Sequence, residues 1–261
     1  YEILRYLEHA IAHQPELELV ILGIDFFMFN TNLANRDSFS EARLGKSFPY
    51  QDILNATLSI DTLLASKDTL KASIIQDNQP NRLNQKLDRF KFWLSGFLHN
   101  NELYKTYALS EERLNHLKTI VELCKQHNIE LKIFISPTHA TQYEAIKVAG
   151  LWSIFEQWKR EVVQIMPVWD FSGYNSITTE NISDQMINYL DNSHYSQITG
   201  GLILNRLLSF EIESIPDDFG VHIDTKNIEV HLEKIRQDQQ VWQNNNSEEV
   251  ELVKQIKAQQ K

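Results

Sequence analysis

The 261-residue chain has a formal net charge of −10 at pH 7 and is 42% hydrophobic, enough apolar material for a sizeable core, most simply one α/β domain with appendages. The acidic balance, with no basic run to offset it, argues against nucleic acid as a partner. No stretch approaches the roughly 18 apolar residues of a membrane-spanning helix, and the single cysteine, Cys124, permits no intrachain disulfide.

In chain order, Ile3, Leu4, Leu7, Ala10 and Ile11 form an apolar stripe at helical spacing. The run ELELVILGI (16–24) then reads as a buried strand that ends in the turn Gly23-Ile24-Asp25. Residues 30–110 read as an insertion: a polar, loop-like opening, a helical pattern at 52–68, a polar stretch with Pro80, and the aromatic run LDRFKFWLSGFLHNN. Phe90, Phe92, Trp93 and Phe97 in that run are expected to pack the insertion onto the body rather than to stack on a ligand. Leu114, Leu117, Ile120, Val121 and Cys124 form a second helical stripe, followed by a strand-like ELKIFIS (130–136) and the turn Ser136-Pro137-Thr138-His139. Trp152, Phe155, Trp158 and Val162 repeat at helical spacing and face a core; MPVWDFSG (166–173) reads as a third strand. YLDNSHYS (189–196) precedes a helix-like QITGGLILNRLLSF, and from about residue 227 the chain is polar with a thin apolar stripe interrupted by NNNS. The expected division is an α/β domain over 1–210 and a polar helical tail over 211–261, its exposed helices a surface on which a protein partner docks.

Strands alternating with helices predict a doubly wound, flavodoxin-like α/β fold with a parallel sheet. In such sheets the ligand site lies beyond the carboxyl ends of the strands. Asp25 and Asn30, Ser136, Thr138 and His139, and Asp170, Ser172 and Asn175 follow the three runs and are expected at that edge. Asp191 stands three residues before His194 on a turn entering a helix. That spacing lets a carboxylate meet Nδ1, fix the tautomer and stabilise the imidazolium formed when Nε2 takes a proton; the alternative is that Asp191 caps the helix and His194 is a surface histidine. His139 is open to two readings as well, a group that binds an acyl oxygen or a turn histidine that caps backbone. No H-E-x-x-H, paired C-x-x-C or glycine-rich phosphate loop occurs, so neither metal nor cofactor is expected.

The succession of a G-x-D turn (Gly23 to Asp25), an S-P-T-H turn (Ser136 to His139) and a D-x-S-H-Y block (Asp191 to Tyr195) before a helix resembles the SGNH (GDSL-type) hydrolase superfamily over roughly residues 1–210. The similarity is greatest to its envelope-associated branch, which includes alginate-acetylation and D-alanine-transfer proteins. The resemblance implies a Ser-His-Asp triad with Asp191 and His194 as acid and base. It implies ester-linked acyl groups, on saccharides or envelope polymers, as substrates; the location stays open, being the cell envelope or a membrane anchor only if an N-terminal segment has been removed. Two departures matter. No G-x-S nucleophile turn precedes the first strand-like run, so the serine is expected on a segment upstream of Tyr1; the alternative is an inactive relative serving as a binding or scaffold domain. Asp25 stands where the superfamily has an oxyanion-hole Asn, and an ionised carboxylate donates no hydrogen bond. Asp25 would have to be protonated, or Asn30, Ser136 or His139 would have to bind the substrate oxygen in its place; otherwise Asp25 simply holds backbone amides.

Overall fold

A computed structural model describes residues 1–36, 39–44 and 85–259; the helical pattern expected at 52–68 lies outside them. The elements run α1 (Glu2–His13), β1 (Leu19–Ile24), a 3-10 turn (Phe26–Phe29), α2 (Glu41–Leu44), α3 (Gln85–His99) and a π-helical turn (Asn101–Lys105). They continue through α4 (Glu111–Gln126), β2 (Glu130–Ile135), α5 (Ala140–Val148), α6 (Trp152–Ile165), β3 (Val168–Asp170) and α7 (Gln197–Leu208). A 3-10 turn (Ile212–Ser214), β4 (Val221–Ile223), α8 (Ile228–Asn245) and α9 (Ser247–Ala258) complete the described chain.

The sheet order is β1-β2-β3-β4. β1 and β2 pair in parallel with Leu19 opposite Glu130 and Ile24 opposite Ile135, and β2 pairs in parallel with β3. The three apolar runs are therefore parallel neighbours, as their separation by helices requires. The sheet is mixed, however, because β4 joins β3 antiparallel; its three residues, Val221, His222 and Ile223, are too few for any periodicity to show.

Both faces of the sheet are covered. In β2, Ile133 and Ile135 pack into one buried cluster with Ile24, Trp158 and Val162, whereas Phe134 between them packs into another with Phe171, Tyr189 and Phe219. That is the two-residue alternation of a strand buried on both sides. The pairing also explains Gly23, which faces Phe134 across the ladder: a Cβ there would lie 2.8 Å from the ring, so only glycine lets the first G-x-D turn form against β2.

The tail is not a separate exposed unit. Ile228 and Leu232 of α8 and Val253 and Ile256 of α9 belong to the main core cluster, and α9 packs on α5 and α3. The chain thus packs across residue 210, and the thin apolar stripe of the tail is turned onto the body. α3 buries Phe90, Leu94, Phe97 and Leu98, while Phe92 is 70% exposed. Among the described residues no helix is long and apolar enough to cross a membrane.

Candidate active site

The Asp191–His194 turn is held from both ends. Tyr189 and Tyr195 form an isolated antiparallel bridge, and the Leu190 amide donates to the His194 carbonyl at 2.8 Å. The Glu180 carboxylate accepts from the Ile187 and Asn188 amides at 2.8 and 2.9 Å. Helix α7 has its own cap, the Ser196 side chain accepting from the Thr199 amide, so Asp191 is not needed for that. Its Oδ1 instead accepts from the amides of Ser193 and His194, each at 2.9 Å. Both carboxylate oxygens also lie 2.9 Å from His194 Nδ1. Asp191 is 1% exposed, and the amide bonds keep its orientation independent of the ring. The His194 side chain is 55% exposed and lies edge-on to Trp93, 5.1 Å between centroids. With Nδ1 engaged, Nε2 has no hydrogen-bond partner among the described residues and is the nitrogen left for proton transfer.

His194 lines a cavity of about 240 Å³ together with Asp25, Ser136, Ser172 and Ser193 on a polar side and Phe97, Tyr104, Ile146, Phe155 and Trp158 on an apolar one. The residues that end β1, β2 and β3 thereby meet the Asp191 turn at the carboxyl edge of the parallel strands. Burial pushes the Asp25 carboxyl up to about 6, against the hydrogen bond with the Ser136 side chain and the attraction of His194. Asp25 is consequently divided between acid and carboxylate near neutral pH.

Asn30 and His139 do not line this cavity. The Asn30 amide donates to the carbonyls of Glu102 and Leu103 at 2.8 and 2.9 Å, and its Oδ1 accepts from the Ala108 amide at 3.1 Å. It pins the π-helical turn to the end of the 3-10 turn that follows β1. His139 is 2% exposed; Nδ1 accepts from the Thr141 amide at 3.2 Å, capping α5, and Nε2 donates to the Glu180 carbonyl at 2.7 Å. Burial lowers its pKa to about 4, so it is a neutral structural group with both ring nitrogens engaged, the backbone-capping alternative of the two that its sequence context leaves open.

Sequence patterns did not disclose a buried ionic cluster behind the polar wall. Lys159, fully buried, donates to Asp170 Oδ2 at 2.5 Å and to the Ser172 hydroxyl at 2.6 Å, and His231 Nε2 reaches the same carboxylate oxygen at 2.7 Å. Burial alone would raise the pKa of Asp170, but the Lys159 charge and the His231 hydrogen bond hold it below the usual carboxylate range. The ammonium lies 4.8 Å from the centroid of the Phe155 ring, and this i, i+4 spacing on one helix face was the only trace of it in sequence. Tyr104 and Gln142 left no such trace, because Tyr104 sits in the insertion and meets Gln142 only in three dimensions. Each serine in the cavity wall has a partner other than Nε2: Ser136 binds Asp25, Ser172 binds Lys159, and the Ser193 hydroxyl donates to Asp191 Oδ1 at 3.1 Å.

Among the described residues no three His, Cys, Asp or Glu side chains converge in a way that would hold a metal ion. What converges is a carboxylate-oriented imidazole, a carboxyl that titrates near neutrality and an apolar wall, a set suited to proton transfer at an uncharged substrate. No protein-family profile, curated protein or solved structure matches the chain.

Proposed function

We propose that this cavity carries out acyl transfer on ester-linked acyl groups, as a hydrolase or O-acyltransferase of the SGNH type on a flavodoxin-like three-layer scaffold. A saccharide or envelope polymer is the donor or acceptor. The observation that carries the reading is the buried Asp191 carboxylate with both oxygens 2.9 Å from Nδ1 of a cavity-lining His194. In the reaction a serine hydroxyl attacks the ester carbonyl while His194 Nε2 takes its proton, and Asp191 stabilises the imidazolium. The tetrahedral intermediate expels the alcohol, which leaves with the proton from His194. Water or a sugar hydroxyl then attacks the acyl-serine, again with His194 as base, and restores the serine.

Among the described residues the three cavity serines are engaged elsewhere, so the reading gives the nucleophile to a different serine. The same geometry favours a second reading, a catalytically silent relative that uses the cavity only for binding. A fluorophosphonate probe applied to the complete gene product separates them. Labelling of a serine other than Ser136, Ser172 and Ser193, abolished by His194→Ala, is the expected result. Absence of label in a folded, complete protein supports the silent reading, and labelling of Ser136, Ser172 or Ser193 overturns the assignment to a different serine.

A further inference from the structure

Away from His194 and Asp25 the cavity is walled by Phe97, Ile146, Phe155 and Trp158, none more than 5% exposed. Its volume of about 240 Å³ exceeds the roughly 150 Å³ that encloses a benzene molecule, so an acetyl group would leave most of the wall without contacts. Of the described residues lining it, Asp25 is the one carboxylic acid and His194 the one imidazole, and the Lys159 ammonium behind Phe155 is already engaged by Asp170 and Ser172.

The wall also carries polar groups: the Tyr104 and Tyr143 hydroxyls, the Gln142 amide and the Trp158 indole N–H, which has no hydrogen-bond partner among the described residues. Tyr104 is 3% exposed, and its hydroxyl oxygen accepts from Gln142 Nε2 at 2.7 Å; Gln142 Oε1 in turn accepts from Asn192 Nδ2. The relay runs donor to acceptor from Asn192 to Tyr104 and leaves the phenol proton without an acceptor among the described residues. Burial, with the Asp25 charge adding to it, holds this phenol far above its ordinary range, so it remains a neutral donor at any working pH. It can give the hydrogen bond that an ionised Asp25 cannot.

We propose that the cavity binds an uncharged, apolar acyl group larger than acetyl, with the carbonyl oxygen hydrogen-bonded by the Tyr104 hydroxyl. This substrate class rests on the acyl-transfer reading of the site. The π-helical turn that Asn30 pins thereby gains a role, since it delivers Tyr104 to the carbonyl; such turns recur at functional sites.

The test uses a series of 2-alkanones, neutral and not hydrolysable, from 2-butanone to 2-dodecanone, titrated calorimetrically into the 261-residue protein. Affinity is expected to rise about fourfold per added methylene and to level off at roughly eight to ten carbons, scaling from the benzene volume. Isotope-edited infrared spectra of the bound ketone should show the carbonyl stretch shifted to lower frequency. Tyr104→Phe should abolish that shift and weaken binding about fivefold to tenfold. Affinity that ignores chain length, or a carbonyl shift that survives Tyr104→Phe, overturns the proposal. Leu103→Trp, at a half-buried position on the same wall, gives a second check: an optimum moved to shorter ketones supports it, and an unchanged optimum overturns it. None of these readouts needs a serine. Chain-length-dependent binding in a protein that never labels with fluorophosphonate would uphold the pocket and sink the chemistry; an active acetyl esterase that binds no ketone would do the reverse.

Discussion

At the scale of single residues, the cavity wall and the cluster behind it hold carboxyls with opposed protonation tendencies. Asp25, raised to about 6 by burial, is harder to ionise folded than unfolded. The folded state therefore holds its proton more tightly, and the native protein loses stability as pH rises from the unfolded pKa of 3.8 through about 6. Asp25→Asn removes this loss. In urea titrations the variant should gain on the wild type across that window, by up to about 3 kcal/mol, and stay constant above it. A difference that does not change with pH would mean that Asp25 is not desolvated. Asp170 has the opposite sign: its carboxylate, held below the usual range by Lys159 and His231 against burial, contributes stability above its unfolded pKa and loses it in acid. Lys159→Met leaves that charge buried with only His231 and the Ser172 amide beside it and should cost about 3 to 5 kcal/mol. Adding Asp170→Asn to the Lys159 variant should restore part of the loss, which a double-mutant cycle would measure.

At the scale of elements, the π-helical turn at Asn101–Lys105 depends on a side chain far away in sequence. Asn30, fully buried, takes up the carbonyls of Glu102 and Leu103 and the amide of Ala108. Asn30→Ala leaves three part-buried backbone groups without this partner and should destabilise by about 1 to 3 kcal/mol. Hydrogen exchange should locate the effect: amides of 101–108 should lose protection ahead of those in β1 and β2. Uniform loss across the sheet would show that the turn and the core open together.

For the whole molecule, the last helices complete the core. α9 buries Val250, Val253 and Ile256, and each apolar side chain of that size contributes about 1.5 to 3 kcal/mol. Ending the chain after Asn246 should remove a share comparable with the roughly 5 to 15 kcal/mol total stability of a domain. The shortened protein should show helical far-ultraviolet circular dichroism without a cooperative thermal transition. A sharp transition near that of the intact chain would return α9 to the status of an appendage.

The first three strands and their parallel pairing were legible because apolar runs between polar turns are most stable in a covered sheet and intervening helices favour parallel crossovers; β4, which also follows a helix, joins antiparallel and was not legible. The meeting of Asp191 with His194 was legible for the same local reason, a spacing of three residues on a turn that brings the two side chains together. Local pattern could not decide between alternatives that differ only in surroundings. His139 and His194 both follow a polar turn at the same edge, yet burial against Glu180 makes one a cap while exposure beside Trp93 leaves the other with a free nitrogen. The α8–α9 stripe reads as exposed because its composition is polar; only the fold shows that its few apolar residues lie against the body. Lys159, Tyr104 and Gln142 entered the site through contacts 11 to 38 residues apart in the chain, pairings that depend on where helices and insertion pack, and for which periodicity carries no signal.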